Sequence, residues 1–364
     1  MTGFFQEYRN SKKVVAQEYD FIFYSESAYY HQYFRSIWDA LAAQKKFRLC
    51  YITSDAKDPM LQTAAEGTDV YFLKATLMFV FQRLRAKAMI LTMPNLELHG
   101  YKRSPWVGKY VYVFHALVSS HQQYHEQAFD HYDAVFCCGS YHAEEIRAAE
   151  ALRGLRAKEL VPFGYPLLGE LRQAQAASEP TILLAPSWHP EGILSTCLEP
   201  VLLQLQQLSL PVQIRPHPEF RKREPKKMKA LEALVRRSAR LQIDTTPDLY
   251  AQLAAAQLLV TDRSGIALEY AFARRKPVLF VDTPSKIYNR NYTALGIEPI
   301  EDRLRSSLGS RVDPQSASAI AGEAKALLEQ ASGWNEKMAA LEAATVYDSS
   351  HWMRGIAYLE GLVS

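Results

Sequence analysis

Short apolar segments of strand length recur along almost the whole chain, separated by stretches whose apolar residues follow helical spacing. Some of these segments, such as Ala134–Cys138 and Leu258–Val260, are apolar at every position rather than at alternate ones. Continuous apolarity is typical of strands in a parallel sheet that is covered on both faces. Eleven segments are predicted as strands: Asp20–Tyr24, Phe47–Ile52, Val70–Leu73, Ala88–Leu91, Tyr110–Phe114, Ala134–Cys138, Thr181–Ala185, Val212–Arg215, Leu241–Ile243, Leu258–Thr261 and Pro277–Val281.

Helical patterns lie between these strands, and repeated strand–helix–strand units predict doubly wound parallel sheets. Eleven strands are too many for one such sheet, and 364 residues fit two or three domains. We therefore predict an α/β protein with two Rossmann-like domains, at 1–168 and 169–345, and a C-terminal helix within 346–364. The clearest helical patterns are Tyr30–Gln44, Leu198–Gln207, Lys226–Arg240 and Pro247–Gln257.

Composition narrows the class of protein. Hydrophobic residues make up 48% and charged residues 22%, which is typical of a globular protein. A net charge of +3 is too small to predict nucleic-acid binding. The four cysteines (Cys50, Cys137, Cys138 and Cys197) match no metal or redox spacing and are predicted to be reduced core residues. Because no apolar segment has the length of a signal peptide or a membrane span, we expect a cytoplasmic protein.

The strongest chemical signal is the loop TDRSG at 261–265, which joins the strand Leu258–Val260 directly to a helix. A helix N-terminus presents unpaired N–H groups and a partial positive charge, and ligands of α/β sheets bind at the carboxyl ends of strands. The candidate phosphate ligands are Thr261, Asp262, Arg263, Ser264 and Gly265. The alternative is that Asp262 or Ser264 only caps the helix. Glu269, about one turn further on, is either a ligand of a ribose diol or a solvated helix residue.

The sequence IRPHP at 214–218 ends another predicted strand. Pro216 and Pro218 restrict the backbone on both sides of His217 and keep this residue out of a helix. A guanidinium and an imidazole on one rigid turn suit an anionic leaving group, with which Arg215 would pair and to which His217 would donate a proton or a hydrogen bond. The alternative for His217 is a structural role, but its position at a strand end favours function.

A third signal is FHALVSSHQQYH at 114–125, which follows the strand Tyr110–Phe114. Since His115 ends a strand of the first domain, it is expected to face the cleft between the domains. A neutral imidazole there would act as the general base for an acceptor hydroxyl. His121 and His125 are four residues apart and would share one face of a helix, but no third ligand accompanies them, so no metal site is predicted.

Two further segments suggest polyanionic or membrane partners. Residues 221–240 hold nine lysines and arginines against two glutamates, which indicates a solvated helix face, a site for a polyanionic acceptor or a contact with an anionic membrane. The segment Leu77–Arg85 is either a buried helix or a contact with a membrane interface. The chain has neither a GxGxxG nor a P-loop pattern, which argues against dinucleotide oxidoreductases and P-loop NTPases.

Several of these motifs, in this order, resemble the CDP-glycerol glycerophosphotransferase family, which builds teichoic-acid-like and capsular polymers. The matching segments are LLAPSW at 183–188, RPHP at 215–218, the stretch from TPDLY to KPVLF at 246–280, and the strand end at His115. The resemblance implies a GT-B fold with an inter-domain cleft, a CDP-activated donor held by the second domain, and no obligatory metal or other cofactor. It also implies that His115 is the base, and that the donor phosphates contact Arg215, His217, Thr261, Ser264 and Gly265.

The expected reaction is transfer of an alditol-phosphate unit, such as glycerol phosphate, from a CDP-activated donor to a hydroxyl of a polysaccharide or lipid-linked acceptor. The expected location is the cytoplasm, with peripheral contact to the inner face of the cell membrane as an open alternative. Two rival hypotheses keep the fold: a nucleotide-sugar glycosyltransferase of capsule or O-antigen assembly, and a non-catalytic GT-B-like scaffold.

Overall fold

The computed structural model of the protein describes residues 2–63, 65–98, 100–176, 179–246, 249–348 and 350–363. Two parallel β-sheets form its framework, one of seven strands in the order β3-β2-β1-β4-β5-β6-β7 and one of six in the order β10-β9-β8-β11-β12-β13. The first sheet comprises β1 Tyr19–Ser25, β2 Leu49–Thr53, β3 Thr68–Phe72, β4 Ala86–Leu91, β5 Val107–Val113, β6 Ala134–Cys137 and β7 Glu159–Pro162. The second comprises β8 Thr181–Leu184, β9 Val212–Ile214, β10 Leu241–Ile243, β11 Ala256–Thr261, β12 Val278–Val281 and β13 Gly309–Val312.

Each sheet is doubly wound and buried on both faces, as predicted. Phe21 and Phe23 of β1 lie in one hydrophobic core, while Ile22 and Tyr24 lie in another on the opposite face. The strand order reverses between β1 and β4 in the first sheet and between β8 and β11 in the second. In open α/β sheets a ligand binds beyond the carboxyl ends of the strands at such a reversal.

All eleven predicted strands are present, with ends that differ by at most three residues. The structure adds β7 and β13, at one edge of each sheet, which the sequence did not predict. Both have four residues and are only partly buried, and their sequences, ELVP and GSRV, contain no continuous apolar run. An edge strand that meets solvent does not need such a run.

Fifteen α-helices connect or cover the strands within the described residues. They are α1 Thr2–Val15, α2 Arg35–Ala43, α3 Leu77–Phe81, α4 Ser140–Arg153, α5 Leu167–Gln173, α6 Ile193–Thr196, α7 Leu198–Leu205, α8 Pro218–Arg223, α9 Pro225–Val235, α10 Leu249–Ala255, α11 Ile266–Arg274, α12 Ile300–Leu308, α13 Ile320–Glu329, α14 Ala331–Thr345 and α15 Trp352–Gly361. The pattern at Tyr30–Gln44 becomes a 3-10 helix, Ala28–Tyr33, followed by α2. The start of the pattern at Pro247–Gln257 lies outside the described residues, and its end enters β11.

The C-terminal helix α15 returns to the first sheet. Its Gly355 lies so close to this sheet that an added Cβ would be 2.8 Å from the rings of both Phe136 and Phe163. Leu359, one turn later, is fully buried in the same hydrophobic cluster as Phe136. The last helix therefore packs against the first domain. The chain thus leaves the second domain and ends on the first.

The short helix α3 has a buried and an exposed side. Leu77, Val80 and Phe81 are buried, whereas Met78 and Phe79 are exposed to solvent. The segment is thus a helix with one buried side, and contact of its exposed side with a membrane stays a prediction. None of the helices in the described ranges is long and apolar enough to cross a membrane. The four cysteines are buried and free, as predicted.

Candidate active site

The loops that follow β5 and β11 meet across a cleft between the two sheets. An added Cβ on Gly265, after β11, would lie 2.7 Å from Cγ1 of Val118, after β5. The next residue of the first loop, Ser119, donates hydrogen bonds of 3.1 Å from its backbone N–H and its hydroxyl to the carboxylate of Glu301 on α12. The carboxyl ends of central strands in both sheets therefore face one another.

The loop 261–265 presents consecutive backbone N–H groups at the start of α11. Among the described residues, the N–H groups of Ser264, Gly265 and Ile266 and the hydroxyl of Ser264 find no hydrogen-bond partner. These three residues are also partly exposed to solvent. Unpaired N–H groups at the positive end of a helix dipole are suited to bind phosphate oxygens.

Two other predicted ligands of this loop instead fix its shape. The hydroxyl of Thr261 is fully buried and donates to the carbonyl of Ala185 at 2.8 Å. Asp262, also fully buried, accepts from the backbone N–H groups of Ser187 and Arg263 at 2.8 Å each. Through these bonds the loop after β8 holds the loop after β11 in place.

The two predicted arginine ligands are already ion-paired within the protein. Arg263 pairs with Asp302 at the start of α12. Arg215, after β9, pairs with Asp244 and donates to the carbonyl of Thr246 at 3.1 Å. Both side chains remain partly exposed, at 20% for Arg263 and 23% for Arg215, so each could contact a ligand without leaving its carboxylate.

His217 is exposed at the N-terminus of α8, where its Nδ1 accepts from the backbone N–H of Glu219 at 3.1 Å. Because Nδ1 is an acceptor, the ring proton of the neutral imidazole lies on Nε2. Although His217 is exposed, neighbouring atoms partly desolvate its ring, and this effect, followed by the positive charge of Lys286, lowers its pKa, so the neutral form prevails at pH 7. This residue is therefore poised to donate one hydrogen bond from Nε2 to an anion.

His115 follows β5, as predicted, and is partly exposed. Its Nδ1 lies 3.2 Å from the carbonyl oxygen of Thr92 and 3.3 Å from the hydroxyl of Tyr112. A carbonyl oxygen only accepts hydrogen bonds, so Nδ1 carries the proton and Nε2 is the free base. Burial lowers the pKa of His115 to about 4, which keeps the imidazole neutral at physiological pH. The geometry fits a general base.

Glu269 on α11 connects the two domains. One of its carboxylate oxygens accepts from the hydroxyl of Tyr165, in the segment between β7 and β8, at 2.6 Å. Burial raises the pKa of Glu269 to about 7, although the bond from Tyr165 acts in the opposite direction. Its second carboxylate oxygen has no partner among the described residues, so Glu269 can still accept from a ligand hydroxyl in the cleft.

The prediction that His121 and His125 share one face of a helix is wrong, because residues 115–125 form an irregular loop. Contacts with distant residues hold this loop. Nε2 of His121 lies 3.1 Å from the carbonyl of Ile297, its Nδ1 lies 3.3 Å from Glu145, and its own carbonyl accepts from Asn289 at 3.0 Å. Within the described part of the chain, no group of three or more histidine, cysteine or acidic residues is arranged to hold a metal ion.

His189 is a candidate that the sequence analysis missed. It follows β8, and its Nε2, like Oδ2 of Asp262, is a buried atom without a hydrogen-bond partner among the described residues. Both atoms border the space where a side chain of Gly192 would be, at 3.2 Å and 3.1 Å from an added Cβ. The signal that could have identified His189 is its position after β8. This strand lies between β9 and β11, which are followed by the candidate residues His217 and Ser264.

The basic segment 221–240 forms α8, α9 and the turn after them. Part of its charge is neutralised locally, since Lys222 and Arg223 pair with Glu219, and Arg240 donates to backbone carbonyls. Arg223 also lies over the ring of Trp188, after β8, at 4.9 Å. Its remaining cations are largely solvent-exposed.

Two doubly wound domains with opposed carboxyl edges and a C-terminal helix that crosses back to the first domain define a GT-B fold. Similar solved structures support this assignment over the whole chain. A form of the wall teichoic acid polymerase TagF soaked with CDPG has a TM-score of 0.58 at 12% identity, covering 100% of this chain and 94% of that one.

Two other structures share the fold. MnaA from S. aureus, in complex with UDP, has a TM-score of 0.63 at 13% identity, with coverage of 95% of this chain and 97% of that one. A glycosyltransferase from Rickettsia africae has a TM-score of 0.55 at 10% identity, with coverage of 96% and 99%. No protein-family model and no curated protein sequence match this chain.

Proposed function

We propose that this protein is a transferase that moves an alditol-phosphate unit, such as glycerol phosphate, from a CDP-activated donor to an acceptor hydroxyl in the synthesis of a cell-surface polymer. The observation that carries the proposal is the row of unpaired N–H groups at Ser264, Gly265 and Ile266, which lies against the loop that follows His115. In this proposal the N–H groups bind the donor phosphate and His115 is the base on the opposite side of the cleft.

In the proposed reaction, Nε2 of His115 takes the proton of the acceptor hydroxyl as its oxygen attacks the donor phosphorus. A new phosphorus–oxygen bond forms to the acceptor, and the bond between that phosphorus and CMP breaks. The N–H groups of residues 264–266 and Nε2–H of His217 stabilise the charge on the departing CMP phosphate. Fixed donors directed at developing charge are a main source of rate enhancement in phosphoryl transfer.

The shared fold supports a nucleotide-activated donor. TagF was soaked with CDPG, and MnaA was solved with UDP, and both match nearly the full length of this chain. In the proposed complex the nucleotide lies along the second domain, where Glu269 accepts from the ribose diol and Arg215 and Arg263 lend charge to the phosphates. The proposed domains are 1–168 and 169–345, with the C-terminal helix within 346–364.

We place this activity in the cytoplasm, because the four thiols are unpaired. The exposed apolar residues Met78 and Phe79 on α3 offer a shallow contact with the inner face of the membrane. Flotation of the protein with anionic vesicles, lost in a Met78→Ser/Phe79→Ser variant, would test that contact.

Donor binding and product analysis test the function. Thermal shifts with CDP-glycerol, CDP-ribitol, CMP and UDP-sugars should show stabilisation by the CDP compounds, and ³¹P spectra should show release of CMP with formation of a phosphodiester. Release of a nucleoside diphosphate without a new phosphodiester would instead identify a glycosyltransferase, the reaction that the Rickettsia africae structure makes the second candidate. If no nucleotide binds, the proposal is wrong, and the result favours the hypothesis of a non-catalytic GT-B-like scaffold.

A further inference from the structure

The base side of the cleft is lined by aromatic side chains. The rings of Tyr30, Tyr33 and Tyr124 lie 5.4, 6.0 and 5.9 Å from the imidazole of His115, measured between centroids. These residues come from the 3-10 helix after β1 and from the loop after β5. The imidazole of His115 therefore has tyrosine rings on this side of the cleft.

Tyr29 extends this aromatic surface outward into solvent. Its ring lies 5.4 Å from that of Tyr30 and 5.8 Å from that of Tyr33, and the hydroxyl of Tyr33 donates to the hydroxyl of Tyr29 at 2.9 Å. The side chain is nevertheless 58% exposed. An aromatic ring that is held in place but uncovered is a preformed surface for a ligand with an apolar face.

Two carboxylates act on these rings. Glu26, just after β1, is exposed, and after burial it is the main charge that raises the pKa of Tyr30, to about 12. Glu269, which lies on α11 of the second domain, raises the pKa of Tyr29 in the same way. Arg215, which is ion-paired with Asp244, acts on Tyr29 in the opposite direction.

No lysine or arginine side chain of the described residues is hydrogen-bonded to His115 or stacked on the four tyrosines. A polyol-phosphate chain on this surface would bring several negative charges close to the exposed carboxylate of Glu26. A sugar ring has an apolar C–H face that covers an aromatic ring, and hydroxyl groups at its edge that donate to carboxylates.

We propose that the acceptor is an uncharged carbohydrate whose terminal sugar stacks on Tyr29 and Tyr30 and donates hydrogen bonds to Glu26. This inference rests on the proposed function for the identity of the reaction, and it adds the class of the acceptor. It assigns the polyanion to the donor side of the cleft and a neutral glycan to the base side. The enzyme would accordingly start a polymer on a glycan or decorate a glycan, rather than extend a polyanionic chain.

Acceptor binding can be measured without turnover. Saturation-transfer NMR and calorimetry would compare an uncharged disaccharide carrying a nitrophenyl group with a synthetic glycerol-phosphate oligomer of similar length. The disaccharide should bind and the oligomer should bind at least about tenfold more weakly. Tyr29→Ala should weaken disaccharide binding roughly tenfold, as loss of an aromatic contact does. Tyr8→Ala is the control, because it removes a tyrosine on α1 that is 48% exposed. This variant should bind the disaccharide as tightly as the wild type does.

Glu26→Lys separates the two classes of acceptor. The variant should bind the disaccharide more weakly than the wild type does. A polyanionic acceptor would be bound more tightly by the variant. Tighter binding of the oligomer than of the disaccharide by the wild-type protein, or an unchanged affinity for the disaccharide in Tyr29→Ala, overturns the inference. Affinity for CDP-glycerol is recorded in parallel, because its absence in the wild type contradicts the proposed function and leaves the acceptor result intact.

Discussion

Gly265 lies against Val118 so closely that a Cβ on residue 265 would be 2.7 Å from Cγ1 of the valine. The backbone of Gly265 has φ −58° and ψ −22°, values that any residue adopts, so the contact alone requires glycine here. Through this contact the proposed phosphate-binding end of α11 reaches the loop that follows the proposed base. The glycine therefore sets how closely the two halves of the site approach.

Gly265→Ala should push the two loops apart and weaken donor binding by about tenfold, since overpacking of this kind costs about 1–3 kcal/mol. Calorimetric titration with the donor measures the effect. The added Val118→Ala change removes the atom that clashes, so the double variant should recover most of the affinity. A Gly265→Ala protein with wild-type affinity would show that the contact has no role in the site.

Ser264 and Thr261 should respond differently to loss of their hydroxyl groups. Ser264→Ala removes an unpaired hydroxyl and should raise the dissociation constant of the donor several-fold at unchanged stability. Thr261→Val leaves the buried carbonyl of Ala185 without its 2.8 Å hydrogen bond and should lower the free energy of unfolding by about 1–3 kcal/mol. Urea unfolding and donor titration of both variants test the distinction, which disappears if Ser264→Ala affects stability alone.

The two histidines should differ in which kinetic constant they control. His115→Ala should lower kcat by about 10² or more with donor affinity unchanged, because a base acts only as the acceptor attacks. His217→Ala should lower kcat by a similar factor and also weaken donor binding, because in the proposed complex its Nε2–H contacts the phosphate both in the bound donor and in the transition state. His131→Ala, at an exposed position, serves as the control. Wild-type kinetics in both variants would contradict the site assignment.

The sequence predicted which candidate residues lie at strand ends. His115, His217 and Ser264 each follow an apolar run, and the parallel sheets bring such positions to facing edges. It could not predict the partners of the arginines, because Asp302 and Asp244 lie 39 and 29 residues from Arg263 and Arg215. These are tertiary contacts with no local signal.

The conformation of the loop after His115 also depends on tertiary contacts that the sequence does not reveal. Apolar and polar residues at 115–125 are compatible with a helix, but hydrogen bonds to a carboxylate 182 residues away hold the segment in an irregular form. Contacts of this kind override local propensity. The cluster of tyrosines around His115 was also not predicted, because Tyr30 and Tyr124 are adjacent only after the strands β1 and β5 have been placed in one sheet.

Turnover should remain insensitive to acid down to an unusually low pH. The base form of His115 is required, and burial lowers its pKa to about 4, so kcat at saturating donor should fall only as the pH drops toward 4. An ordinary histidine would give this loss near pH 6.5. Rapid-mixing measurements after a jump to each pH limit the contribution of unfolding. An acid limb near pH 6.5 that persists in Glu269→Gln would contradict the assignment of His115.

Glu301 should make the protein less stable as the pH rises. Burial, together with the neighbouring Glu145, raises the pKa of Glu301 to about 7, above its ordinary value of 4.5. A carboxyl with a raised pKa in the folded state contributes stability that is fully present below pH 4.5 and is lost as the pH rises through about 7. Glu301→Gln keeps an uncharged side chain opposite Ser119, so it should be close to the wild type at pH 5.

At pH 8 the same variant should be the more stable protein, by up to about 3 kcal/mol, since it avoids ionising a buried carboxyl. Urea unfolding at pH 5 and pH 8 gives the difference directly. Glu298→Gln, which removes an exposed carboxylate from the same segment, is the matched control. If Glu301→Gln and the wild type lose stability equally between the two pH values, the carboxyl does not titrate in this range. The contact between Ser119 and Glu301 would then hold the domains together independently of pH.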